Sequence, residues 1–202
     1  FKYAYKNNNK TRLLPTSVDT NRYINNKFKK NKIFTIGWIG SPSSEKYLKS
    51  LIEPFDQLSE IISFKFVIVG ANVKPNFKKC NSELLEWKYD SEVNIINTFD
   101  VGVMPLEDSD WERGKCAFKL IQYMACEIPV VASNIGFNKT LISNNVDGIF
   151  AKNKSEWMNA IKLLYDDYDK RIKMGKKGRN KIISLYDKKI NFLKIIKYLK
   201  IE

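Results

Sequence analysis

Four short runs that are apolar on both faces dominate the chain: IFTIGWIG (33–40), FKFVIVG (64–70), DVGVMP (100–105) and IPVVAS (128–133). A strand without a polar face has no side to give to water. Such strands belong to a parallel sheet covered by helices on both faces. The segments between the runs carry helical spacing. SPSSEKYLKSLIEPFDQLSEII opens on Ser41 and Pro42, a cap and a first-turn residue, and repeats Leu48, Leu51, Ile52, Phe55 and Leu58 along one face. Pro54 interrupts that helix. ELLEWKY (83–89) reads as a further strand, SEVNIINTF (91–99) as a short helix, and residues 115–127 as a longer one. NKTLISNN is a short helix and DGIFA a last short strand; 155–168, 169–185 and 188–200 are helical. The expectation is a three-layer α/β domain over residues 32–202, with a helical C-terminal segment and the strand from Ile33 near the centre of a parallel sheet. Residues 1–31, rich in Asn and Lys, read as a connector or an edge of that domain.

Thirty-five Lys and Arg against 22 Asp and Glu leave a formal charge of +13 on 202 residues. Nucleic acid, an anionic membrane surface or a phosphorylated ligand would each suit that sign. There is no basic stripe interleaved with aromatics and no zinc-finger spacing, so nucleic acid is not expected and most lysines are assigned to solvated surface. Histidine is absent, so acid–base chemistry falls to another residue or to another chain segment. Cys80, Cys116 and Cys126 are odd in number and lack metal-ligand spacing, and no metal site is expected. Cys116 and Cys126 lie in apolar stretches and read as buried, reduced thiols of a cytosolic protein. No apolar run approaches the ~18 residues of a membrane span. The chain opens on Phe1 without a signal-peptide pattern and reads as a piece of a longer protein.

In parallel sheets of this kind ligands bind beyond the carboxyl ends of the strands. Those ends are Gly40–Ser41, Gly70–Ala71, Trp87–Asp90, Pro105–Gly114 and Ser133–Gly136, where nearly all the turn glycines fall. The fourth leads into GKCAFKLIQYMACEIPVVAS (114–133), whose helix start is basic although a helix N-terminus is already positive. On a helix over 115–127, Lys115, Lys119 and Gln122 form a polar stripe apart from the apolar one of Ala117, Leu120, Ile121, Met124 and Ile128. The plain alternative is a solvated outer face. The sharper reading puts a phosphate on the free N–H groups of the helix start, neutralised by Lys115 and Lys119. Gly114 then lets the backbone approach, and Gln122 reaches a sugar hydroxyl.

The order FTIGWIG…EKYL, FVIVGA, FDVGVMP, WERGKCAFKLIQYMACEIPVVAS, NVDGIFA, EWMNAIKLL and RIKMGKKGR resembles the carboxyl-terminal domain of group 1 (family 4) glycosyltransferases, over about residues 12–187. The resemblance implies a Rossmann-like half of a GT-B fold that binds the nucleotide-diphosphate sugar. The acceptor-binding amino-terminal half, expected to complete the catalytic site, lies outside this sequence. LLPTSVDTNRY looks like the connector of these enzymes. It further implies a retaining transfer to a glycan or lipid-linked acceptor, as in polysaccharide biosynthesis. The location would be cytoplasmic, with room for peripheral association at the inner membrane face, and neither cofactor nor metal would be needed. Gly40, Glu45 and Lys46 match the turn after the first strand, where Ser41 replaces an Arg, so Lys46 becomes the implied diphosphate contact there. Two glutamates of the family fall on Gly114 and Gln122. The second usually accepts from ribose hydroxyls, and Gln122 keeps a carbonyl acceptor for that task. Trp87 and Tyr89 are candidates to flank the base, and Asp110 and Trp111 to touch the sugar, each with plain packing or capping as the alternative; Trp38 reads as core. Loss of both glutamates would suit a non-catalytic nucleotide-binding domain, the competing reading.

Overall fold

The computed structural model describes residues 2–25 and 31–199. Phe1, residues 26–30 of the expected connector and residues 200–202, with the last residue of the expected helix 188–200, lie outside the described residues.

Six strands, β1 (Phe34–Ile39), β2 (Phe64–Val69), β3 (Ser82–Leu85), β4 (Val101–Met104), β5 (Val130–Ala132) and β6 (Ile149–Phe150), form one sheet in the order β3-β2-β1-β4-β5-β6. Every pairing is parallel and β1 is internal, as its two apolar faces require. The helices are α1 (Lys2–Asn7), a 3₁₀ helix (Pro42–Leu51) running into α2 (Ile52–Leu58), α3 (Tyr89–Ile96), α4 (Asp110–Arg113), α5 (Phe118–Ala125), α6 (Asn138–Leu141), α7 (Lys154–Asp166), α8 (Tyr168–Leu185) and α9 (Lys188–Leu199). Among the described residues, no helix is long and apolar enough to cross a membrane.

The pleat sorts the core into two layers. Ile36 and Trp38 of β1, Phe66 and Ile68 of β2 and Val101 and Val103 of β4 pack with Leu48, Leu51, Phe55, Trp157 and Ile161 of the 3₁₀ helix, α2 and α7. Ile39, Val67, Val69 and Met104 point the other way, onto Ile96, Leu120, Ile121, Met124 and Ile182 of α3, α5 and α8. The strand expected over 83–89 stops at Leu85, so Trp87 stands beyond the sheet. The helix expected from Ser41 is 3₁₀ up to Leu51 and becomes α-helical only from Ile52, with Pro54 buried in its first turn, where its missing N–H costs least.

Part of the amino-terminal segment enters this core. Val18, Thr20 and Tyr23 are buried. Val18 bridges Asp187 in parallel, and the Lys188 amide donates to the Val18 carbonyl at 2.9 Å. Arg179 of α8 donates to the Tyr23 carbonyl at 2.7 Å. These contacts fix Tyr23 against the site described next.

Candidate nucleotide-binding cleft

A cleft of about 670 Å³ opens above the carboxyl ends of β1, β2 and β4. Ile39, Gly40, Gly70, Met104 and Leu106 line its sheet side, Ser41 and Pro42 the start of the 3₁₀ helix, and Gly114–Lys119 with Gln122 the opposite wall. Its size suits a small organic ligand. The strand-end turns can meet here because one of them lacks a side chain. Gly70 has φ +79°, and a Cβ there would lie 2.4 Å from the Gly40 carbonyl oxygen.

The basic helix start differs from its expected form. α5 begins at Phe118, not at residue 115. Ala117, buried and with φ 56°, turns the chain left-handed just before it, and among the described residues no side chain caps the helix. Lys115 is therefore not in a helical stripe with Lys119 and Gln122. A left-handed alanine carries no sequence signal, since glycine is the usual occupant. The turn still brings Gly114, Lys115, Lys119 and Gln122 to one wall of the cleft. Lys115 and Lys119 form no salt bridge among the described residues. The Lys119 ammonium lies 4.3 Å from the centroid of the Trp38 ring, so Trp38, a core residue as expected, also supports the cleft. Burial, and secondarily the Lys115 charge, bring the Lys119 pKa down to about 7. A desolvated ammonium beside a second cation is the state that an incoming anion relieves.

Lys46, expected at the diphosphate, stands outside the cleft lining. Its ammonium is 3.7 Å from the buried Glu112 carboxylate. Glu112 also accepts from the hydroxyls of Ser109 and Tyr47, and these bonds hold its pKa down at about 2. This charged knot ties the loop before α5 to the 3₁₀ helix. Coulomb attraction to a buried carboxylate explains why Lys46 turns there. The other candidates sit away from the lining. Asp110 bonds Arg113 at 3.1 Å, Trp111 is 76% exposed, and Tyr89 carries the Arg22 guanidinium 3.4 Å above its ring. Trp87 does line the cleft. Cys80 and Cys126 are buried, but Cys116 is exposed at the cleft wall, because the turn before α5 lifts it off the sheet.

Glu92 was not among the residues singled out from the sequence. An acid in the first turn of a helix usually just offsets the dipole, and that hides it. Here it is 4% exposed and lines the cleft. Its carboxylate accepts from the Tyr23 hydroxyl, from Gln122 Nε2 at 2.5 Å and from Trp87 Nε1 at 2.7 Å. Gln122 Nε2 also donates to Tyr23 Oη at 2.9 Å. The cleft thus has a cationic end at Lys115 and Lys119 and a carboxylate end at Glu92. Lys119 and Gln122 are three residues apart on α5, a rise of ~4.5 Å.

A family model described as glycosyl transferases group 1 matches residues 31–167, more than half of the chain. The chain belongs to that family. Its sequence is 32% identical over 131 residues to the UDP-Gal:alpha-D-GlcNAc-diphosphoundecaprenol alpha-1,3-galactosyltransferase of Escherichia coli, a match covering 59% of this chain and 32% of that protein. Among solved structures, sucrose-phosphate synthase from Thermosynechococcus elongatus superposes with a TM-score of 0.74 at 15% identity, over 98% of this chain and 55% of that one. Anabaena HepE, solved with UDP and glucose, gives 0.74 at 15% identity, over 95% and 57%. The C-terminal domain of a group 1 glycosyl transferase from Francisella tularensis gives 0.62 at 15%, over 85% of this chain and 99% of that one. The fold is the Rossmann-like, GT-B type, and this chain spans about a third of the Escherichia coli relative and a little over half of the sucrose-phosphate synthase and HepE chains.

Proposed function

We propose that this chain is the donor-binding part of a glycosyltransferase that moves a sugar, with retention, from a nucleoside-diphosphate sugar to a glycan or lipid-linked acceptor. The observation that carries the reading is the cleft at the strand ends, with two lysines that have no carboxylate partner among the described residues flanking a helix start that none of those residues caps. Free N–H groups and ammonium groups in a partly desolvated site bind phosphate oxygens and offset charge building on a leaving diphosphate. The UDP-sugar named for the Escherichia coli relative and the UDP in the HepE structure make UDP the first probe. In this reading the diphosphate lies at Gly114, Lys115 and Lys119, with Gly40 and Ser41 across the cleft and Trp87 at the far end. Lys46 joins only by leaving Glu112. No resident metal takes part, and the acceptor and the remaining catalytic groups come from outside residues 1–202. The setting would be the cytoplasmic side of a membrane or the cytoplasm itself.

A thermal-shift and calorimetric series with uridine, UMP, UDP and UDP-sugars tests this. Binding should rise steeply from UMP to UDP, while sugar transfer by this chain alone should be absent. Equal affinity for UMP and UDP would contradict the diphosphate assignment.

A further inference from the structure

The Glu92 cluster is built in a way that packing alone does not require. A carboxylate nine-tenths buried is costly unless a cation or several hydrogen bonds compensate it. Among the described residues Glu92 has no Lys or Arg partner; its donors are a phenol, an indole and an amide, all neutral. Its negative charge is thus not cancelled where it borders the cleft. A carboxylate accepts about four hydrogen bonds and these donors fill three, leaving one acceptor position. An anionic group is repelled at this end and a hydroxyl is welcome. Lys115 and Lys119, on the cleft wall that Gln122 shares, have the opposite preference.

We propose that Glu92 is the specificity-determining acceptor for a pentose hydroxyl of the bound nucleoside diphosphate, with Tyr23 and Gln122 as its positioning residues. This rests on the reading of the cleft as a nucleoside-diphosphate site. Both hydrogens of the Gln122 amide are spent on Tyr23 and Glu92, so it holds that carboxylate in place, while its carbonyl oxygen remains an acceptor. The ligand is oriented by the two ends together: phosphates to Lys115 and Lys119, sugar hydroxyls to Glu92. Repulsion by Glu92 disfavours the reversed pose.

The test is calorimetric titration of the chain with UDP, 2′-deoxy-UDP and 3′-deoxy-UDP. The wild type should bind at least one deoxy form about tenfold or more weakly than UDP, the range for a hydrogen bond to a charged group. Glu92→Gln keeps the shape and should bring that ratio near one, while Lys119→Ala should weaken all three ligands alike. Tyr23→Phe removes a donor to Glu92 from outside the cleft lining and should lower the ratio partway; it decides the matter if Glu92→Gln does not fold. Equal affinities of the wild type for all three ligands would overturn the proposal while leaving the nucleotide site standing. An unchanged ratio in Glu92→Gln, or in Tyr23→Phe where Glu92→Gln does not fold, would do the same. No binding of UDP at all would overturn both.

Discussion

Two residues at the cleft carry unfavourable local states. Ala117 holds a left-handed conformation that costs an alanine roughly 1–2 kcal/mol, and strain of this kind gathers at functional sites. Ala117→Gly should therefore leave stability equal or raise it by up to ~1 kcal/mol, after the entropy that glycine loses on folding. Ala117→Val, β-branched and buried at the same φ, should lower it by more than ~2 kcal/mol; chemical denaturation would measure both. Lys119 is the second such residue. Its pKa in the fold is brought down to about 7 from an unfolded value near 10.5, so the unfolded chain binds more protons between those values. Stability contributed by this position therefore increases as pH rises from about 7 toward 10, and the penalty is fully present below about 7. Lys119→Met should raise the thermal midpoint most at the acid end of that window. Diphosphate binding has the opposite sense, since the anion favours the ammonium. Between pH 7.5 and about 9, where the phosphates are already ionised, UDP affinity should fall with pH in the wild type and stay flat in Lys119→Met.

At the scale of elements, the strands were legible because a buried parallel strand leaves a plain mark: β1, β2, β4 and β5 all sit inside the apolar runs that announce them. The first turn of α5 was not legible, because the residue that sets its start, Ala117, is chemically ordinary. Nor was Glu92, which looks like any acid in the first turn of a helix and becomes distinctive only when Tyr23, 69 residues earlier, folds onto it. The stripe of Lys119 and Gln122 was visible as a pattern, but the lone sequence cannot say that it turns toward the strand ends. What turns it there is the packing of α5 on α8. A Cβ on Gly175 would lie 1.9 Å from the Glu127 carbonyl oxygen, so α8 can seat against the end of α5 only without a side chain at that position. Gly175→Ala should cost ~1–3 kcal/mol by overpacking and should weaken UDP binding as well, since it displaces the helix that carries both lysine and glutamine. Loss of stability with unaltered affinity would separate the packing of α5 from the shape of the cleft.

Across the molecule, the carboxylate end of the cleft is formed by Glu92 in the middle of the chain and Gln122 beyond it, supported from behind by Tyr23 near one end. The amino-terminal segment is held by Asp187, which accepts from the Thr20 hydroxyl at 2.6 Å and the Thr20 amide at 3.1 Å. Burial by itself would raise the Asp187 pKa, but the bonds from Thr20 and the Lys189 amide outweigh it and the pKa is lowered. Its contribution is therefore present above about pH 4 and is lost as pH falls through the lower folded value. Asp187→Asn should cost ~1.5–3 kcal/mol at neutral pH, with the gap to the wild type narrowing in acid; thermal melts across that range would follow it. The general charge of +13 acts on the same scale, drawing any polyphosphate weakly to the whole surface. A specific cleft must stand apart from that background. The most direct measurement is UDP calorimetry at about 0.15 M salt, where the Debye length is about 8 Å, on three proteins: wild type, Lys119→Ala in the cleft and Lys176→Ala on the exposed side of α8. Ten- to hundredfold weaker binding by Lys119→Ala, with Lys176→Ala matching the wild type, is the predicted result. Two variants indistinguishable from each other would contradict a nucleoside-diphosphate site at the start of α5.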